Sequence, residues 1–237
     1  MKYAFITGAN RGLGKGFVEY LLSQGYRVFA GARNPSAYDS QLKGDPHLSI
    51  IPLDITDDES IKNAFQLVNK QTDHLDILVN NAGTNKDSAT NNHKELVCVL
   101  TELDRSALLH MFNINSISPL MVLKHFLPLL NQDNCFVINL SSARSSYKDE
   151  NENATANYGY RASKAALNLM TFGSLQDLPA NVKTFAVHPG NPHTDMNPTG
   201  TDAPREQAGK IIDITNNWKE EFNGKLLRYD GTLYPLS

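Results

Sequence analysis

The chain has 237 residues, 41% of them hydrophobic and 20% charged, with a net charge of −3 at neutral pH. That length suits one α/β unit with a sizeable core, and the charge balance gives no reason to expect nucleic acid or an anionic membrane surface as a partner. Cys98 and Cys135 sit in apolar runs and read as buried thiols of a reducing compartment, and no stretch reads as long and apolar enough to span a bilayer, so a cytoplasmic location is expected.

The first element, a strand over 3–7, runs straight into a glycine motif, so the amino terminus reads as structural rather than as a leader. A helix over 15–24 closes at Gly25, and strands follow over 27–30 and 48–53. A helix over 58–71 opens on acidic residues, as its dipole favours, and a fourth strand covers 75–79. A long helical region over 95–131, broken near 113–119, precedes a fifth strand over 136–140. Then come a helix over 160–178, a strand over 182–188, a helix over 210–222 and a short strand over 225–228. Strands alternating with helices need crossover connections, which predicts an α/β fold: one doubly wound parallel sheet, covered on both faces, in a single domain over 1–237. The polar stretch 145–157 reads as an exposed loop, and its Asn153 sequon as chance. Pro198, Gly200 and Pro204 suit a mobile loop over an open cleft.

Thr7-Gly8-Ala9-Asn10-Arg11-Gly12-Leu13-Gly14 joins the first strand to the first helix. Glycines there permit a tight turn and let a pyrophosphate approach backbone N–H groups at a helix start. The spacing is Gly-x-x-x-Gly-x-Gly rather than the common Gly-x-Gly-x-x-Gly. Cofactor choice follows from charge. An acid ending the second strand would bind the ribose 2′-hydroxyl of NAD, but here that strand runs into Gly31-Ala32-Arg33. Arg33 and Arg11 are placed to pair with a 2′-phosphate, which favours NADP(H) over NAD(H).

Tyr160 and Lys164 lie four residues apart in a predicted helix, so they share a face about one turn apart. A phenol ordinarily titrates near pH 10 (about), and a nearby cation pulls that value toward neutrality. A tuned phenol can protonate a carbonyl oxygen as hydride reaches the carbon. Tyr147 and Tyr158 are rival phenols, but neither has a lysine four residues on.

With these features the chain resembles the short-chain dehydrogenase/reductase family over nearly its whole length. The motif from Thr7 to Gly14 matches the family's nucleotide loop, Asp54 the acid that contacts adenine, and Asn80-Asn81-Ala82-Gly83 the signature after the fourth strand. Asn115, Ser142, Tyr160 and Lys164 match the catalytic set, and Pro189-Gly190 with Thr194 the segment that holds nicotinamide. Tyr229-Asp230-Gly231-Thr232 and Thr194-Asp195-Met196 look most like the C-factor and sniffer-type carbonyl reductases.

The resemblance implies a Rossmann-type domain whose substrate site is built from carboxy-terminal loops. It also implies an NADP-preferring oxidoreductase that moves hydride between NADP(H) and an aldehyde, ketone or alcohol, with no metal. Tyr160 would be the general acid or base. Lys164 would lower its pKa and hold the ribose, Ser142 would stabilise the substrate oxygen, and Asn115 would anchor a water. Cofactor contacts are implied at Gly8, Arg11, Gly12, Leu13, Gly14, Arg33, Asp54, Ile55, Asn81, Ala82, Gly83, Tyr160, Lys164, Pro189, Gly190 and Thr194. Ser141 competes with Ser142, since adjacent strand residues face opposite sides; the family pattern picks the second. Asn191-Pro192-His193 departs from the usual sequence, and His193 reads as a solvent-facing loop residue.

A nucleotide-binding regulatory protein with little or no turnover is the alternative. A nucleotide-sugar epimerase is disfavoured, because the chain lacks the Gly-x-x-Gly-x-x-Gly loop and a larger carboxy-terminal domain. The implied assembly is a homodimer through the two long helices, with a tetramer as the larger option; Leu120, Leu123 and Leu127 suit either an interface or the core.

Overall fold

In the computed structural model, which describes residues 1–38, 42–85, 100–131, 133–148 and 157–236, seven short apolar segments pair into one sheet. They are β1 (Tyr3–Thr7), β2 (Arg27–Ala32), β3 (Leu48–Pro52), β4 (Ile77–Asn80), β5 (Cys135–Leu140), β6 (Val182–His188) and β7 (Leu226–Arg228). All pairings are parallel, in the order β3-β2-β1-β4-β5-β6-β7. The chain starts mid-sheet, winds outward to β3, then returns past β1 to build the other half from β4. The carboxyl ends of β1 and β4 therefore flank the crevice where such sheets bind ligands.

Alternation along the strands separates two cores. Ala4 and Ile6 of β1 face α1 (Gly12–Ser23) and α6 (Pro204–Asn216), packing with Phe17, Val18, Leu21, Ile211 and Ile212. Phe5, between them, faces α2 (Asp58–Asn69) and α4 (Ser118–Phe126), packing with Ile61, Ala64, Val68, Val122 and Phe126. Both faces are covered, so strands such as β5 are buried throughout and read as unbroken apolar runs.

Several boundaries differ from expectation. The glycine motif is itself the first turn of α1, which starts at Gly12 rather than 15. Pro204 opens α6 well before 210, its ring holding φ ready for the first helical turn, and 220–222 is a separate 3₁₀ turn. Helix α5 runs over Tyr158–Gly173 and closes in a 3₁₀ turn.

The long helical region is distorted rather than broken. Helix α3 (Arg105–Phe112) passes into α4 through a π-helical turn, Asn113–Ile117. Pro119 has no N–H to give the Asn115 carbonyl four residues back, and the ladder shifts, with the Ser118 N–H donating to Asn113 O. This region also corrects the expectation about membranes: Arg105–Leu129 is long and apolar enough to cross one by length and composition. In the fold, 44% of its most apolar window is buried, and Val122 and Phe126 face the sheet.

Cys135 is buried in β5, whereas Cys98, Asn153 and most of the polar loop lie outside the described residues. The loop after β6 is knitted by hydrogen bonds. Asn197 Nδ2 donates to Asn191 Oδ1 at 2.7 Å and Pro192 O at 3.2 Å, Asn191 N donates to Asp202 Oδ2 at 2.9 Å, and His193 N donates to Asp202 O at 2.9 Å. Its prolines and glycine set turns inside this hydrogen-bonded knot.

Candidate active site

The end of β1 and the end of β4 are joined through one threonine. Thr7 Oγ1 accepts from Asn81 N and Ala82 N, each at 3.0 Å, and itself donates to Val79 O at 3.4 Å. Asn81 returns the link: its Nδ2 donates to Thr7 O at 2.9 Å and Gly8 O at 3.1 Å. A Cβ on Gly8, whose φ is +64°, would stand 2.9 Å from Ala82 Cα, so only glycine fits the turn. Behind it, the N-cap Arg11 makes no side-chain cap, leaving the first N–H groups of α1 open toward the crevice. Leu13 points into the core and Ile55 packs on the opposite core, so either could offer a ligand its backbone only. Asn81→Ala should lower stability by about 1–3 kcal/mol, since it strips two carbonyls of a donor; the urea midpoint checks this, with unchanged circular dichroism showing that the fold survives.

At the ribose end, Arg33 follows β2 and lies exposed. Asp54 accepts from Thr56 N at 2.9 Å and Thr56 Oγ1 at 2.7 Å. Burial pushes the Asp54 carboxyl up, but the Thr56 hydroxyl and N–H, then Arg33 and His110, hold it below its ordinary value. Arg11 is exposed. Its Nη1 donates to exposed Asp195 at 2.7 Å, bridging the glycine loop to the segment after β6. Thr194 Cγ2 rests 3.2 Å from where a Gly12 Cβ would stand, and Asn85 Nδ2 donates to Met196 O at 3.4 Å. His193 is exposed, with Nδ1 3.2 Å from Gly200 O.

The hydroxyl cluster lies deeper, where β5, α5 and the π-helical turn meet. Ser142 caps the 3₁₀ turn Ala143–Ser145, its Oγ accepting from Arg144 N at 3.2 Å, and its hydroxyl favours the ionised form of the Tyr160 phenol. Ser141 points elsewhere and donates to Asn168 Oδ1 at 2.6 Å. Tyr147 and Tyr158 lie at the surface, 94% and 44% exposed, so neither competes with half-buried Tyr160. Lys164 is buried and donates to Leu140 O at 2.6 Å, with Nζ 5.9 Å from the Tyr160 ring centroid. A Cβ on Gly83 would stand 3.3 Å from Asn115 Oδ1 and 3.5 Å from Lys164 Nζ, so the glycine keeps space above the ammonium. Asn115 Nδ2 donates to Thr84 O at 2.8 Å and Ser163 Oγ at 3.0 Å, and its Oδ1 accepts from Thr84 N at 2.8 Å. Ser163 and Thr84 carry no catalytic signature of their own and escape a sequence reading.

The electrostatics correct one expectation. Burial pushes the Tyr160 phenol above its ordinary value, and the opposing groups are Ser142 and then Arg144, not Lys164. Burial lowers Lys164 itself to about 8. Among the described residues no cluster of histidine, cysteine and acid could hold a metal.

A doubly wound sheet and an uncapped, glycine-lined helix start stand beside a cluster of Ser142, half-buried Tyr160 and buried Lys164. The profile described as short chain dehydrogenase matches residues 2–204, and the chain belongs to that family. An uncharacterized oxidoreductase of Schizosaccharomyces pombe is 32% identical, across 99% of this chain and 98% of its own. Among solved structures, the carbonyl reductase Sniffer of D. melanogaster superposes with a TM-score of 0.87 at 28% identity, covering 99% of both chains. The NADPH-bound carbonyl reductase from chicken fatty liver has a TM-score of 0.85 at 28% identity, also covering 99% of both.

Proposed function

We propose that this protein is an NADPH-dependent carbonyl reductase, transferring hydride between NADP(H) and an aldehyde, ketone or alcohol. The observation that carries this reading is the gathering of Ser142, half-buried Tyr160 and buried Lys164 where β5 meets α5, with Lys164 Nζ 5.9 Å from the Tyr160 ring centroid. The NADPH bound to the similar chicken enzyme supports the cofactor, which supplies hydride when present. The open N–H groups of α1 suit its pyrophosphate, and Arg33, with no acid beside it in β2, suits a 2′-phosphate.

Tyr160 gives its proton to the carbonyl oxygen, and Ser142 donates a hydrogen bond to the same oxygen as negative charge grows. Lys164 holds ribose hydroxyls in the space that Gly83 leaves open. Asn115 fixes the π-helical turn against α5 through Ser163. A pure nucleotide binder has no use for a half-buried phenol close to a serine and a buried lysine, which sets the enzyme ahead of the regulatory alternative.

A cytoplasmic homodimer is part of the same proposal. The apolar side chains left exposed on the long helices are Leu109, Ile117, Leu169 and Phe172, whereas Leu123 is in the core. NADPH oxidation over a panel of aldehydes, ketones and diketones, with NADH alongside, tests the activity. Arg33→Ser should cut the preference for NADPH about tenfold or more, a charge-assisted phosphate contact being worth about 1.5–3 kcal/mol. Tight NADPH binding without turnover of any carbonyl would hand the crevice to the regulatory reading.

A further inference from the structure

Arg144 is an unusual neighbour for a catalytic hydroxyl pair. It follows Ser142 by two residues, in the 3₁₀ turn Ala143–Ser145, and its backbone N–H donates to Ser142 Oγ at 3.2 Å. The turn is held from several sides. Ser145 N donates to Ser142 O at 3.1 Å, and Ser145 Oγ accepts from Asn168 Nδ2 at 2.8 Å. Just beyond, Ser146 Oγ donates to Pro235 O at 2.6 Å, and Tyr147 N donates to Leu236 O at 3.1 Å. Asn168 thus grips both Ser141 and Ser145, so the backbone carrying Arg144 is fixed relative to α5 and Tyr160.

The Arg144 side chain is half-buried and close enough to Tyr160 to act on its phenol electrostatically. Among the described residues no carboxylate pairs with it or with buried Lys164. A guanidinium kept partly out of water with no carboxylate beside it is costly to retain, and its planar fork matches a carboxylate in two parallel hydrogen bonds.

We propose that Arg144 binds an anionic group of the substrate, so that the preferred carbonyl compounds are oxo acids carrying a carboxylate a few bonds from the reacting C=O. The inference rests on the reductase reading. Hydride adds to the carbonyl carbon, the π pair moves to oxygen, Tyr160 supplies the proton, and the carboxylate stays intact on Arg144 throughout.

The test uses the full chain and oxo acids with the carboxylate one, two or three carbons from the carbonyl, each beside its methyl ester. In the wild type, kcat/KM for the best acid should exceed that of its ester at least tenfold. Arg144→Gln should cut that ratio tenfold or more, chiefly through KM, and Arg144→Lys should restore part of it. Equal rates for acids and esters at every spacing overturn the proposal. So does an equal loss on both in Arg144→Gln, which would make the residue a tuner of Tyr160 only. Turnover of the neutral esters reports on the reductase reading separately. If neither series turns over, thermal stabilisation of the NADPH complex by the oxo acids still decides, through its loss or persistence in Arg144→Gln.

Discussion

Tyr160→Phe should fold, bind NADPH as tightly as the wild type, and reduce carbonyl compounds about a thousandfold more slowly. The size follows from what a positioned proton donor contributes, about 10²–10⁴-fold. Phenylalanine keeps the ring beside Lys164 and removes only the hydroxyl on which Ser142 acts. Ser142 Oγ still accepts from Arg144 N, so the stability change should stay within about 1 kcal/mol. Steady-state kinetics should show the loss in kcat, while fluorescence titration gives an unchanged Kd for NADPH. A kcat within tenfold of wild type would mean that the proton comes from elsewhere, and exposed Tyr147 and Tyr158 are poorly placed to give it. The variant thereby separates a reductase from a binder more sharply than any substrate screen.

Much of this arrangement could be read from residue order, and what escaped did so for definable reasons. β1 and β6 begin and end where expected, at Tyr3–Thr7 and Val182–His188, because a short apolar run bounded by turn-forming residues leaves little choice. The glycine motif, Tyr160 and Lys164 stood out by residue type and spacing, whereas Ser142 was preferred to Ser141 only through the resemblance to the family. The π-helical turn was not, because Pro119 announces a disturbance without saying whether the helix breaks or shifts its ladder. The loop after β6 looked mobile because glycine and proline carry the same signal in a flexible loop and in a knot. The Asn191, Asn197 and Asp202 contacts, set by side chains up to 11 residues apart, are what glycine and proline cannot announce. The Asn81 side chain also clamps the glycine loop, a contact across 74 residues that no local pattern encodes. The direction of the Tyr160 shift was inverted for a related reason. Helical spacing places a lysine near the phenol but cannot report burial, and here burial dominates both groups.

Lys164→Met should raise stability at neutral pH while abolishing turnover. Burial takes the ammonium from its ordinary 10.5 to about 8. Between those values the unfolded chain holds a proton that the folded protein has released, so stability climbs with pH across that window. Below about 8 both states are protonated, and the folded protein carries the full cost of a buried ammonium, about 3 kcal/mol at roughly 1.4 kcal/mol per unit. Methionine fills a similar volume without charge, but deprives Leu140 O of its donor, which returns about 1–2 kcal/mol of that gain. The net expectation is a gain of about 1–2 kcal/mol at pH 7, or about 2–8 °C in Tm for a chain of this size. Thermal unfolding from pH 6 to 11 should show the variant's advantage shrinking above pH 8 and gone by the ordinary lysine value, as wild-type Lys164 loses its proton in the folded state. A variant that is less stable than wild type at pH 7, or whose difference does not vary with pH, would refute a desolvated ammonium at this position. A side chain that weakens the fold at working pH is retained for something other than folding. Its Nζ lies 3.5 Å from where a Gly83 Cβ would stand and 5.9 Å from the Tyr160 ring centroid, so under the proposed function the stability gained on removing it measures what the site costs the fold.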